Sequence, residues 1–319
     1  MNPCFDVTIA GELNLDLILY GLPAELPPER ELLADNMALT LGSSSAIVAH
    51  NLASLGAKVG FQSLIGEDSL GQIALERLTR SGVDTSHVHK VQSVGTGLSV
   101  ILQRDGWRNI LTYSGTISKL TLADLDFDAL SNSRHFHLSS YYLQSGLRSD
   151  VPELLRRLKA AGLTISLDTN DDPEGHFAGG IAKALELVDI FLPNQREACR
   201  IAGTDNLEVA IEKLSQIVPL LVVKAGSAGA IAVRKGERIQ SDALKVELID
   251  PVGAGDSFDA GFLRAYLKGS SLRDCLAAGN AAGALCATQA GGTEAFADRE
   301  YREAFIRQHA PTLQSPTAG

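Results

Sequence analysis

The chain has 319 residues, 45% of them hydrophobic, enough to bury a substantial core. Asp and Glu outnumber Lys and Arg 38 to 28, a formal charge of −10 with no basic cluster, which argues against nucleic acid and anionic membrane as partners. Cys4, Cys199, Cys275 and Cys286 lack both the density of a disulfide scaffold and paired metal-ligand spacing. With no leader-like N-terminus and no apolar run of membrane-spanning length, they predict a soluble cytoplasmic protein.

Phe5 to Ala10, closed by Gly11, reads as a buried first strand. Glu12 to Tyr20 follows, with Asn14 and Asp16 among leucines. A buried, unpaired carboxylate is costly, so Asp16 lies at a surface or receives hydrogen bonds, and a turn or edge-strand residue is the plainer reading. Residues 42–55 form a helical segment that ends near Gly56 and enters a strand from Val59 to Ile65. Gly66-Glu67-Asp68 opens a second helix over 69–80, and an extended path resumes at Gly82. This alternation predicts a mostly parallel sheet covered by helices. Residues 96–113 break the rhythm as a hairpin turning at Arg104-Asp105-Gly106. With 12–20 and 37–41 it predicts a small antiparallel layer, usable as a lid or an oligomer surface. Strand and helix patterns return over 134–139, 150–161, 164–168, 181–187, 189–192, 208–217 and 220–224. Alanine-rich 272–288 and then 298–308 read as helices, and the chain after Ala310 reads as a loose tail. A single domain over 1–310 is expected.

The stretch Asp250-Pro251-Val252-Gly253-Ala254-Gly255-Asp256-Ser257 joins a Pro/Gly turn to an amphipathic helix. Its glycines allow backbone N–H groups to converge where the helix begins, an anion site. Asp256 at the mouth is an odd choice for holding phosphate alone. It suits a carboxylate that takes a proton from a hydroxyl while the amides stabilise a phosphoryl group in transfer. The loop by itself is equally compatible with Asp256 or Ser257 as a plain helix cap. It is not a Gly-x-x-x-x-Gly-Lys-Ser/Thr loop, and the chain has none.

Ligands gather at the carboxyl edge of such a sheet, which would bring Asp168, Asn194, Lys224 and the 253–256 turn together. Glu197, three residues after Asn194, could orient magnesium-bound water or simply favour a helix start. Lys224 could face phosphate or snorkel to solvent. His135 and His137 share a strand face without a third metal ligand nearby, which points to ordinary strand residues.

In order along the chain, these stretches resemble the ribokinase-like carbohydrate kinase (PfkB) family. The most specific match is Asp250 to Phe258. Supporting matches are Gly42 with the helix to Ala57, Ile65 to Gly71, Pro193 to Glu197, and Val223 to Gly229. The resemblance implies a three-layer α/β/α domain with a small β lid that transfers the γ-phosphoryl group of ATP to a sugar hydroxyl. Asp256 would be the base, and the amides of Gly253, Ala254 and Gly255 the anion hole. Asn194, Lys224, Gly226, Gly229 and Asn280 would lie along the nucleotide, and Glu197 near Mg2+. Asp250 and Val252 would offer main-chain oxygens to a monovalent cation such as K+. Asp16, Gly42, Asp168 and Asn170 would face the acceptor. The family's second glycine and sugar-contacting asparagine are Ser43 and Ile47 here, which makes an ordinary ribose or fructose pocket doubtful. A nucleoside kinase and a non-catalytic sugar sensor are the alternatives. The intact 253–256 loop argues against the sensor, and a homodimer through the lid is expected.

Overall fold

The computed structural model describes residues 3–104 and 107–313. The expected turn residues Asp105 and Gly106 and residues 314–319 of the expected tail lie outside that range. The strands run β1 (Phe5–Ala10), β2 (Leu15–Tyr20), β3 (Asn36–Leu41), β4 (Val59–Gly66) and β5 (Asp84–Val91). The hairpin pair is β6 (Leu98–Arg104) and β7 (Trp107–Tyr113), followed by β8 (Ser133–Leu138), β9 (Thr164–Leu167) and β10 (Ile190–Phe191). Last come β11 (Leu220–Lys224), β12 (Ala230–Arg234) and β13 (Glu237–Ser241).

Nine strands make the main sheet in the order β13-β12-β11-β10-β9-β8-β1-β4-β5. From β11 to β5 every pairing is parallel, and β12 and β13 add an antiparallel edge. Side chains alternate across a strand, and here both sets are apolar. Leu220 and Val222 of β11 enter one core with Ile9, Leu52, Phe262 and Leu276, while Leu221 and Val223 enter the other with Phe136, Leu154 and Ile165. Each fully buried side chain of this size is worth about 1.5–3 kcal/mol, so two cores hold the three layers together.

His135 and His137 sit fully buried within the sheet. They are satisfied by a run of hydrogen bonds, each 2.7 Å: Thr164 Oγ1 to His135, His135 to Ser166 Oγ, Ser166 Oγ to His137, and His137 to Ser139 Oγ. Burial lowers both imidazoles, to about 3 for His135 and about 4 for His137, so both rings are neutral.

The lid is a separate four-stranded sheet, β3-β2-β6-β7. It is mixed, not purely antiparallel as expected: β2 and β6 run parallel, Asp16 beside Ser99. A parallel pair requires a long crossover, and the chain between β2 and β6 passes through the main sheet. Asp68 ties the two parts together. It caps the Ser69–Arg80 helix by accepting from Gly71 N (2.8 Å), and it also accepts from Thr96 N (2.7 Å) and Thr96 Oγ1 (2.8 Å) ahead of β6. Beyond Ala310 the chain makes a further 3-10 turn, Pro311–Leu313, whose Leu313 is buried in the core, so the loose reading does not describe these residues. No helix among the described residues is long and apolar enough to cross a membrane.

Candidate active site

The turn before the Ala254–Leu267 helix is set by Gly253, whose φ of 74° is left-handed. A Cβ there would lie 2.5 Å from Gly292 Cα, so no larger residue fits. The first-turn N–H groups of Gly255 and Asp256 have no backbone acceptor among the described residues. They lie at the positive end of a 14-residue helix. A Cβ on Gly255 would come no closer than 3.6 Å, to Lys224 Nζ, so the approach to these amides is open.

Asp256 is buried at the base of that approach, and Asn170 Nδ2 donates to its Oδ1 at 3.4 Å. Burial, then the Asp168 carboxylate, pushes Asp256 up to about 6, with Lys224 and hydrogen bonds from Ser44 and Asn170 pulling it down. Asn170 adopts a left-handed φ of 54°, and its Oδ1 accepts from Ser140 N at 2.9 Å. The amide is thereby oriented with its donor toward Asp256.

Lys224 does not reach into solvent. Its ammonium donates to Asp168 Oδ2 at 2.6 Å and to Asp259 Oδ2 at 3.1 Å, both carboxylates being almost wholly buried. These carboxylates keep the Lys224 ammonium protonated despite its burial. Asp259 was not singled out from sequence. It lies three residues after Asp256 on one face of a mostly apolar helix, and that spacing was the available signal.

Glu197 and Asn194 form a reciprocal capping box. Glu197 N donates to Asn194 Oδ1 at 2.9 Å, Asn194 N donates to Glu197 Oε2 at 2.9 Å, and the two side chains also bond each other. Burial, then Asp168, lifts Glu197 to about 8. Asn194 bridges in parallel register to Lys224, so the capping box and the lysine sit at one strand edge. Among the described residues no group of three or more His, Cys, Asp or Glu side chains could hold a metal unaided. Glu197 and Asp168 lie near one another, a carboxylate set that would hold magnesium only through water and phosphate oxygens.

Asp16 is 7% exposed and is pushed up to about 7 by burial, then by Asp256 and Asp250; Ser99 and Arg108 oppose the rise. Gly42 is required beside it, since a Cβ would lie 2.2 Å from Asp16 Oδ1. Ser43, at φ 71°, caps the Ser44–Ser54 helix by accepting from Ala46 N at 3.1 Å and donates to the Glu12 carbonyl. Glu12, a buried acid that sequence reasoning passed over, accepts from Ser45 N and Oγ and fixes the same helix start. Ile47 is buried with its Cδ1 against Gly253 and Gly292. It therefore backs the anion turn instead of presenting a polar group.

The other predicted residues lie where strand ends meet the Leu272–Ala287 helix. Gly226 opens a 3-10 turn with free space around it. At Gly229 a Cβ would lie 2.0 Å from the Ser241 carbonyl, so that glycine is needed for close packing. Asn280 Nδ2 is held by the Ser241 and Asp242 carbonyls at 3.1 and 3.0 Å. The Asp250 carboxylate accepts from Val252 N at 2.9 Å, which shapes the turn's entry. Two surface cavities, of 490 Å³ beside Thr40, Arg77 and Glu294 and of 520 Å³ beside Asp68 and Lys90, contain none of these residues.

The model of the pfkB family carbohydrate kinases matches residues 5–299. The ribokinase of Haemophilus influenzae is 27% identical over 312 residues, covering 95% of this chain and 99% of that protein. The nucleoside kinase of Methanothermobacter thermautotrophicus is 30% identical over 273 residues, covering 85% of each. A ribokinase II-type protein of E. coli, solved in complex with ATP and Mg2+, superposes with a TM-score of 0.83 at 27% identity, covering 96% of this chain and all of that one. With the ribokinase-like architecture and the match over nearly the whole length, the chain belongs to the pfkB family of carbohydrate kinases.

Proposed function

We propose that this kinase moves the γ-phosphoryl group of ATP to a hydroxyl of a sugar or sugar derivative, with Asp256 as general base. The observation that carries the reading is the pairing of a buried carboxylate near pKa 6 with unpartnered helix N-terminal amides in the same turn. A base poised close to neutrality can accept the hydroxyl proton, and the amides of Gly253–Asp256 receive charge on the transferring group. Magnesium would supply charge neutralisation between phosphates, with Glu197 and Asn194 placing its water shell. Lys224, locked between Asp168 and Asp259, sets the charge at the phosphate path, while Gly226, Gly229 and Asn280 shape the nucleotide side. Asp16, Ser43, Ile47, Asp168 and Asn170 border the acceptor. The lid excludes water during transfer.

A monovalent cation such as K+ beside the carbonyls of Asp250 and Val252 belongs to the same proposal, as does a cytoplasmic setting. A dimer through the lid is supported by the exposure of Met37, Trp107, Leu111 and Tyr113. A nucleoside acceptor is the second reading, favoured by the 30% identity to a nucleoside kinase.

Asp256→Asn tests the base. The variant should fold and bind ATP yet lose roughly 10²–10⁴-fold in turnover. Wild-type-like turnover would remove Asp256 from the role. The acceptor is found by a magnesium–ATP assay over hexoses, pentoses, sugar acids, sugar phosphates and nucleosides, with ADP and phosphorylated product both measured. Nucleoside products alone would promote the second reading.

A further inference from the structure

Tyr20, the last residue of lid strand β2, donates its phenolic O–H to Asp250 Oδ2 at 2.7 Å, a contact 230 residues apart in sequence. The same oxygen accepts from Gly291 N at 3.0 Å, and Oδ1 accepts from Val252 N at 2.9 Å. Asp250 is fully buried and has no ion-pair partner among the described residues, so these donors are what keep its carboxylate satisfied. A carboxylate oxygen can only accept, so at 2.7 Å the Tyr20 hydroxyl is the donor. Around the bond, Ile18 and Ile101 of the lid close on Val252 with Tyr20 packed against them.

Two of the donors on Asp250 belong to the segments that wall the Gly253 turn. Val252 leads into the turn. Gly291 adjoins Gly292, whose Cα lies within 2.5 Å of where a Gly253 Cβ would be. Tyr20 is the third donor, and it alone comes from the lid. We propose that Tyr20 is a positioning residue: by bonding Asp250 when the lid is seated, it fixes both walls of the 253–256 turn and so aims the amides at the transferring phosphoryl group. The proposal rests on reading that turn as the phosphoryl site. Lid closure and assembly of the anion hole then become one event, because a lifted lid leaves a buried carboxylate short of a donor.

Tyr20→Phe keeps the ring and its packing and deletes the donor. The probes are Mg–AMP-PNP and Mg–ADP, which differ in the terminal phosphoryl group. In the variant, affinity for Mg–AMP-PNP should fall about tenfold and for Mg–ADP less than about twofold, as expected for one hydrogen bond to a charged group acting at the terminal phosphate. Backbone amides of 252–256 and 291–292 should exchange several-fold faster, and because a buried carboxylate loses a donor the thermal midpoint should also fall. A merely structural contact would weaken both nucleotides alike, and that result overturns the inference. So does an unchanged affinity ratio with unchanged exchange. If wild type itself fails to prefer Mg–AMP-PNP and shows no protection of 253–256 on binding it, the phosphoryl-site reading falls first and takes this proposal with it. A wild-type preference that survives intact in Tyr20→Phe removes only the role of Tyr20.

Discussion

Burial raises both Asp16 and Asp256, to about 7 and about 6, and the Asp256 carboxylate adds to the rise at Asp16 while Asp168 adds to that at Asp256. The acid limb of kcat/KM should fall between about pH 6 and 7, and Asp16→Asn should move it to lower pH by removing one negative charge. A limb that stays in place would separate the two groups. The same substitution has a stability signature. The folded pKa of Asp16 is raised, so its contribution is fully present below about pH 4 and is lost as pH rises through about 7. Relative to wild type, Asp16→Asn should gain stability between pH 5 and pH 8, with an upper bound on the order of 3 kcal/mol. Urea titrations at the two values measure this, and a gain in the opposite direction would contradict the burial of Asp16. Ile47 behaves differently because it packs under Gly253 and Gly292. Ile47→Val should cost about 1 kcal/mol and leave phosphoryl transfer in place.

At the level of elements, the Ala254–Leu267 helix carries two buried carboxylates on one face, and Lys224 at the end of β11 is the cation that makes Asp259 tolerable there. Lys224→Met should destabilise the fold by about 3–5 kcal/mol, since it strands buried negative charge; denaturant midpoints check this. A neutral change would mean that Asp259 is protonated in the free enzyme. Elements with strong apolar periodicity were legible in the sequence: the helix at 69–80 has the boundaries its spacing predicts, from the Asp68 cap to Arg80. Strand β13 was not, because Glu237–Ser241 is a largely exposed edge strand without an apolar alternation to mark it. The parallel β2–β6 pairing was also hidden, since register across 80 residues leaves no local trace. Asp259 and the Tyr20–Asp250 contact share that cause: each depends on a partner brought near only by the fold. The lid's own prediction is that acceptor binding protects amides of 15–20, 36–41 and 98–104 more than those of the Val151–Ala160 helix. Uniform protection would dissolve the lid as a separate moving part.

For the whole molecule, the sheet's interior is polar along one line, the Thr164–His135–Ser166–His137–Ser139 run. The imidazoles' folded pKa values are depressed, so their contribution is present above about pH 6.5 and is lost as pH falls toward 4 and 3. Replacing both histidines with glutamine should flatten the acid side of the stability profile, and an unchanged acid slope would show that other groups govern it. A line of this kind also has a direction. Each neutral ring has one N–H and one bare nitrogen, and each hydroxyl has one proton, so all members must donate the same way. Thr164 Oγ1 has an acceptor beyond the line, the Arg134 carbonyl at 3.4 Å. With that proton there, the sense of every other bond follows: Ser139 donates to His137, His137 to Ser166, Ser166 to His135 and His135 to Thr164, and both rings are Nδ1–H tautomers. With the Thr164 proton donated to His135 instead, every bond reverses and both rings are Nε2–H, so nitrogen chemical shifts distinguish the two states. In the first state the hydroxyl of Ser139, at the carboxyl end of the sheet beside the candidate site, turns its proton inward and its lone pairs out; in the second it is free to donate outward. The centre of the sheet thus carries a single polarity, whose sense is set at one end of the molecule and expressed at the other.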